Sequence, residues 1–182
     1  MEDLSLHILD VAENSIRAQA KKITIKIQEN RSKDLLSLDI CDNGEGMDQK
    51  TLQKAVDPFF STQKSRRFGL GLSLLSQAAQ MANGHFSIQS QPGKGTKLRA
   101  TFQISHLDTK PLGNIPETLT TLMMGHPEVD FQYEHKINHS KYSLDTQNIK
   151  SQLKEIPLNS PKVLNKIKKN IKEELDNLRR QK

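Results

Sequence analysis

One cysteine, no tryptophan and only 4% aromatic residues leave this 182-residue chain without several common stabilising devices. The lone thiol, Cys41, closes no internal disulfide, so core packing must hold the fold, and a reducing cytoplasmic setting is expected. No run approaches the roughly 18 apolar residues of a membrane span, so no membrane partner is expected. The opening Met1-Glu2-Asp3-Leu4 is acidic, where a signal peptide is basic and then apolar. Hydrophobic residues at 34% and charged residues at 26% suit a water-soluble domain, and the length suits one domain with a small appendage at ~100–200 residues per domain. Excess charge is confined to one end. Residues 1–145 carry 17 basic and 17 acidic side chains, and residues 146–182 carry ten and four. A neutral body argues against a nucleic-acid surface and leaves only the last helix as a basic patch.

Glycine is also sparse, nine in all, and most informative in Cys41-Asp42-Asn43-Gly44-Glu45-Gly46-Met47. Leu36, Leu38 and Ile40 alternate with Ser37 and Asp39, so Asp42 takes the parity of the buried face. An inward carboxylate needs a donor, and the exocyclic amine of adenine is one. Gly44 and Gly46 let the backbone approach a flat base, and Met47 offers an adaptable apolar contact. Read alone, Asp-Asn-Gly is more readily a tight turn.

Residues 4–18 have helical spacing, with Leu4, Ile8, Val11, Ala12 and Ser15 on one face. Asp10, Asn14 and Arg17 share another arc, with His7 and Glu13 at its edges. The Asn14 amide oxygen is a hard ligand suited to Mg²⁺, Arg17 suits phosphate, and Asp10 can orient water. A solvated polar face is the plain alternative. Strands are expected over 23–27, 35–41, 86–90 and 98–104, and a short helix capped by Asp48 runs to about Val56. Gly69 and Gly71 precede an apolar helix over 72–83, where free N–H groups can meet phosphate oxygens. Residues 57–71 read as a lid or a plain hinge. Leu74 stands where a dinucleotide fingerprint needs a third glycine, and Gly93-Lys94-Gly95-Thr96 is no Walker loop. The Thr96 hydroxyl can reach a base or simply belong to a turn.

Five stretches stand in a telling order: Asp10-Val11-Ala12-Glu13-Asn14-Ser15-Ile16, Asp42 to Met47, Asp57-Pro58-Phe59-Phe60-Ser61-Thr62, Gly69-Leu70-Gly71-Leu72-Ser73 and Gly93-Lys94-Gly95-Thr96. They resemble the N, G1, F, G2 and G3 boxes of the GHKL ATPases, the gyrase, Hsp90, histidine-kinase and MutL relatives. The resemblance covers about residues 4–104. It implies an α+β fold, a two-layer α/β sandwich of the Bergerat type with a mixed sheet. It also implies ATP and Mg²⁺ as cofactors, with Asn14 as the metal ligand, Arg17 on phosphate and Asp42 on the adenine amine. Gly44, Gly46 and Met47 would line the base, Gly69, Leu70, Gly71 and Leu72 would border the phosphates, and Phe59 and Thr96 would also bind the nucleotide. Hydrolytic members carry Glu where this chain has Asp10, which puts hydrolysis in question.

Residues 1–106 are expected to form the ATP-binding domain and 107–182 a small α/β extension of helix, hairpin and two helices, the first of those two capped by Thr146 and running to about Ile156. His126, His135 and His139 match no zinc spacing. The first box begins within ten residues of Met1, so no phosphoacceptor domain is expected before it, and His7 lies on the nucleotide helix itself. The organisation resembles stand-alone histidine-kinase-like ATP-binding proteins of anaerobic bacteria. The expected function is γ-phosphoryl transfer from ATP to a separate partner protein, with a homodimer left open. The alternatives are an ATP-driven switch, a weak ATPase, and an anti-sigma-like Ser/Thr kinase.

Overall fold

Two hydrophobic periods, one of two residues and one near 3.6, assemble into a single sheet and a helical layer over one of its faces. The computed structural model describes residues 3–55 and 70–180. The strands are β1 (Lys22–Asn30), β2 (Leu35–Asp42), β3 (Phe86–Gln91), β4 (Gly95–Gln103), β5 (Asp130–Ile137) and β6 (Ser140–Asp145). They lie in the order β3-β4-β2-β1-β5-β6. β1 and β5 run parallel and the other neighbours antiparallel, which makes the sheet mixed.

Register explains the two faces. Ile25 stands opposite Ile40 on β2 and Tyr133 on β5, and Ile40 stands opposite Leu98 on β4. All four are buried. One residue along, Arg99, Asp39, Lys26 and Glu134 form a row of alternating charge across β4, β2, β1 and β5. Arg99 and Asp39 pair at 3.7 Å on this polar face, where opposite charges on adjacent strands are mildly stabilising.

The helices are α1 (Leu4–Arg17), α2 (Gln49–Lys54), α3 (Leu70–Met81), α4 (Ile115–Gly125), α5 (Thr146–Leu153) and α6 (Pro161–Arg180). α1 packs against α3 and α4, and α4 against α6. Asp3 caps α1, accepting from the Leu6 N–H at 3.1 Å, which satisfies one of the unpaired donors of a helix start. The segment before α4 returns to this cap, where the Leu4 N–H donates to the Pro111 carbonyl at 2.9 Å.

After residue 106 the chain forms α4, the β5–β6 hairpin, α5 and α6, and the hairpin continues the same sheet through β5. One apolar cluster runs from Leu4 to Leu178. Among the boundaries that differ from expectation, those of α3 and α5 have clear local causes. α3 spans Leu70–Met81 instead of 72–83, because Asn83 turns left-handed at φ 52° and the Gly84 N–H closes onto the Ala79 carbonyl at 2.8 Å. Asp145, not Thr146, caps α5, accepting from the Gln147 N–H at 2.8 Å, while the buried Thr146 hydroxyl accepts from the Phe131 N–H. α5 ends at Leu153, where Lys154 takes φ 52°.

Candidate functional site

The apolar stripe of α1 fixes this helix on the sheet, and its next face meets the end of β2. There the Asp42 carboxylate is 8% exposed. Its Oδ2 accepts from the Ser15 hydroxyl at 2.7 Å, and its Oδ1 accepts from the N–H groups of Gly44 at 2.9 Å and Thr96 at 3.2 Å. These donors orient a buried carboxylate that would otherwise be costly, and an ionised carboxylate has about four acceptor sites. Acceptor capacity is left for a further donor.

The glycines around Asp42 serve close backbone packing. A Cβ on Gly46 would lie 2.0 Å from the Gln91 carbonyl oxygen, and one on Gly44 would lie 2.5 Å from that of Ala18. The 41–47 loop is thereby wedged between the end of α1 and the β3–β4 turn. Ser90, which sequence reasoning passed over, joins the pieces. Its hydroxyl accepts from the Met47 N–H at 2.8 Å and donates to the Gly95 carbonyl at 2.9 Å. The Thr96 hydroxyl lies 2.9 Å from it. Thr96 therefore meets Asp42 through its backbone, with its hydroxyl turned to Ser90.

Asp10, Asn14 and Arg17 follow one another along α1, as their spacing predicts. The Arg17 Nη1 donates to the Asn14 Oδ1 at 2.9 Å, and its Nη2 lies 3.9 Å from the Glu13 Oε2. A cation thus already rests on the amide oxygen assigned to metal, and Asn14 with Asp10 offers hard oxygen donors of the kind Mg²⁺ takes together with nucleotide phosphates and water. The residues present fit that ion. Burial raises the pKa of Asp10, while nearby Arg17 opposes the rise and Glu13 adds to it.

α3 approaches the same face. A Cβ on Gly71 would lie 3.1 Å from the Asp10 Cβ and 3.3 Å from its Oδ2, so glycine permits this approach. Gly71 falls inside the first turn of α3 rather than before it, as does Leu72, where backbone N–H groups still lack intrahelical partners. Phe59, Gly69 and the side chain of Leu70 lie outside the described residues, as does most of the 57–71 stretch read as a lid.

His7, also on α1, is 2% exposed, and its Nδ1 has no hydrogen-bond partner among the described residues. Burial lowers its pKa to about 4. His135 is equally buried and lies between the Glu29 carboxylate at 2.9 Å and the Tyr133 hydroxyl at 2.8 Å. His126 Nε2 lies 3.2 Å from the Glu13 Oε1. Ser15, Glu13 and His126 thus join the site's surroundings; in the sequence Ser15 shows as a polar residue on an apolar stripe and Glu13 at the edge of the polar arc, while nothing there ties His126 to α1.

The comparisons with known proteins follow this geometry. Residues 2–106 match the family model described as histidine kinase-, DNA gyrase B- and HSP90-like ATPase. A putative sensor protein of Shewanella frigidimarina is 39% identical over 85 residues, covering 46% of this chain and 13% of that protein. Sensor protein DegM of a Bacillus species is 34% identical over 91 residues, covering 50% of this chain and 24% of the relative. Sensor protein kinase FleS of Pseudomonas aeruginosa is 36% identical over 110 residues, 60% of this chain and 27% of the kinase. The chain therefore spans about a quarter or less of these relatives' lengths. Among solved structures, the N-terminal domain of a DNA repair protein superposes with a TM-score of 0.56 at 16% identity, covering 80% of this chain and 53% of that one. The shared fold is the mixed sheet with its layer of helices. The nucleotide-binding boxes, the fold and the family match converge: this chain belongs to the histidine kinase-, DNA gyrase B- and HSP90-like ATPases, a family that binds ATP.

Proposed function

We propose that the chain binds Mg·ATP and transfers the γ-phosphoryl group to an acceptor on a separate protein. The observation that carries this reading is the oriented, buried Asp42 carboxylate, set beside Asn14 and Arg17 on the helix that Ser15 ties to it. Asp42 receives the adenine amine, and Gly44, Gly46, Met47 and Thr96 frame the base. Arg17 and the first turn of α3, with Gly71 and Leu72, face the phosphates. Bound Mg²⁺ supplies charge neutralisation at the phosphates, with Asn14 as its protein ligand. In the transfer, the acceptor's nucleophile bonds to the γ-phosphorus, the bond to the β–γ bridging oxygen breaks, and ADP leaves.

The match to a protein named as a sensor kinase supports transfer. So does Asp10, one methylene shorter than the Glu of hydrolytic relatives. His7, the histidine on the nucleotide helix, is buried, which shields it from a γ-phosphoryl group and favours an acceptor on a partner. A second reading, a weak ATPase or ATP-driven switch, has its own observation. Asp10 has a raised pKa and lies against Gly71, a base-like position close to the phosphate-facing helix.

ATP labelled at the γ-phosphate, Mg²⁺ and cell extract, run beside Asn14→Ala, test the reading. Asn14-dependent label on one protein band establishes transfer, with acid-labile label indicating His or Asp and acid-stable label Ser or Thr. Free phosphate without protein label makes the chain an ATPase. Bound ATP with neither signal leaves the switch.

A further inference from the structure

Arg17 occupies the oxygen that a metal would need. Its Nη1 donates to the Asn14 Oδ1 at 2.9 Å, and a guanidinium and Mg²⁺ repel each other too strongly to share one amide oxygen. Metal arrival must displace Arg17 from Asn14. The displaced cation needs an acceptor within reach, and Glu13 provides one, with its Oε2 3.9 Å from the Arg17 Nη2.

Glu13 is itself held. Its other oxygen, Oε1, lies 3.2 Å from the Nε2 of His126. A carboxylate only accepts, so Nε2 carries the proton of that bond. His126 is the C-cap of α4, fixed by its N–H to the Leu122 carbonyl at 2.9 Å. Its Nδ1 faces Glu128 at 3.8 Å. Thus a chain of polar contacts runs from the end of α4 through Glu13 and Arg17 to Asn14. His126 lies beyond residues 2–106, the part matched to the family.

We infer that Glu13, anchored by His126, is a positioning residue that draws the Arg17 guanidinium off Asn14 and so sets how much Mg²⁺ the site needs. This rests on the Mg·ATP reading above. A free Glu13 side chain would swing in water. Bridged to the α4 cap, it presents one oxygen to Arg17 and fixes the counter-charge between Arg17 and the end of α4. The extension thereby tunes the metal requirement of the nucleotide site without touching nucleotide.

The test is a Mg²⁺ titration of ATP binding to the full chain, with a parallel ATP titration in EDTA. Glu13→Gln is expected to raise the Mg²⁺ concentration at half-saturation about 3- to 10-fold, and His126→Ala about 2- to 5-fold. ATP affinity in EDTA is expected to change less than 2-fold for both. His126→Gln, which keeps an N–H near the Nε2 position, is expected to stay close to the wild type. With side chains 32% and 27% exposed, Glu13 and His126 are sites where substitution leaves the fold standing. Unchanged Mg²⁺ half-saturation in both Glu13→Gln and His126→Ala, beside a wild type whose Mg²⁺ dependence disappears in Asn14→Ala, would overturn the inference alone. Loss of ATP affinity equally with and without Mg²⁺ would also overturn it, since that is a structural effect. A wild type whose ATP binding ignores Mg²⁺ and Asn14 would overturn the underlying reading along with it.

Discussion

The Ser15 hydroxyl donates to the Asp42 Oδ2 at 2.7 Å, joining the middle of α1 to the end of β2 across 27 residues of sequence. The same hydroxyl lies 3.2 Å from the Val11 carbonyl, one turn back on α1. The helix that carries Asn14 and Arg17 and the strand that carries Asp42 are therefore tied together through the Ser15 side chain. Asp42→Asn exchanges an acceptor for a group that can present N–H to the adenine amine. A lost hydrogen bond to a charged group, together with two opposed donors, costs about 3 kcal/mol, or roughly 100-fold in affinity. ATP titration calorimetry is expected to show that loss. Ser15→Ala removes one orienting bond of about 1 kcal/mol and is expected to weaken binding by roughly 5-fold.

Gly95 and Gly93 make a matched pair for testing backbone packing. Gly95 has φ +85°, and a Cβ there would stand 2.0 Å from the Asp42 carbonyl oxygen. Gly93 has φ +74° and open space around it. Gly93→Ala is expected to cost about 1 kcal/mol, from left-handed backbone strain alone. Gly95→Ala adds a clash with backbone that cannot step aside, and a cost above about 3 kcal/mol is expected. Urea unfolding of the two variants checks the difference, and equal costs would show that the β3–β4 turn yields.

The lettering of α1 and β2 was legible because each signal is local. Leu4, Ile8, Val11 and Ala12 repeat at the helical period and are all buried, and the parity from Leu36 to Asp42 carries the carboxylate inward. What lay beyond reach depends on distant pairing. The sequence marks β5 as a strand, but nothing in it says that Tyr133 will sit beside Ile25 in a parallel pair. The Ser90 contacts are hidden for the same reason, since they need Met47, Gly95 and Thr96 to converge. Likewise, His126 meets Glu13 across 113 residues. The glycines of the 41–47 loop also have a packing duty that no local signal announces. They admit the Ala18 and Gln91 carbonyls.

His7 ties stability to pH. Its folded pKa lies near 4, lowered chiefly by burial, against an ordinary value of 6.5. The unfolded chain therefore binds a proton at this position over a range where the folded chain does not. Stability is full above about pH 6.5, falls as pH drops through the window, and the loss is complete below the folded value. By pH 5 the expected loss from this group is about 2 kcal/mol. Urea unfolding at pH 7 and pH 5 checks it, with His7→Gln as the non-titrating comparison. A wild type and variant that lose stability in parallel would sink the assignment.

Asp10 has the opposite displacement, its pKa being raised by burial above the usual carboxylate range. As a base it works only when deprotonated, so any phosphate release is expected to fall with decreasing pH at a higher pH than for an ordinary aspartate. Asp10→Asn is expected to abolish the release while ATP binding persists. Asp10→Glu restores the longer reach of hydrolytic relatives and is expected to speed release about 10-fold. Phosphate-release assays across pH distinguish these outcomes. Equal rates in wild type and Asp10→Asn would remove Asp10 from the chemistry.

Ile171 tests whether the residues after His106 fold with the nucleotide site. It is fully buried on α6, which packs on α4, and α4 in turn packs on α1. β5 pairs with β1 along the register from Lys22 to Glu29, so the hairpin and the central strand share backbone hydrogen bonds. Truncating a buried isoleucine to alanine costs about 2–5 kcal/mol. If one cooperative unit spans the sheet, Ile171→Ala should lower the midpoint of a single transition, and loss of ATP binding should track loss of helical signal in the same urea titration. A second, earlier transition, with ATP binding intact after part of the helical signal has gone, would show instead that α6 and the β5–β6 hairpin unfold on their own.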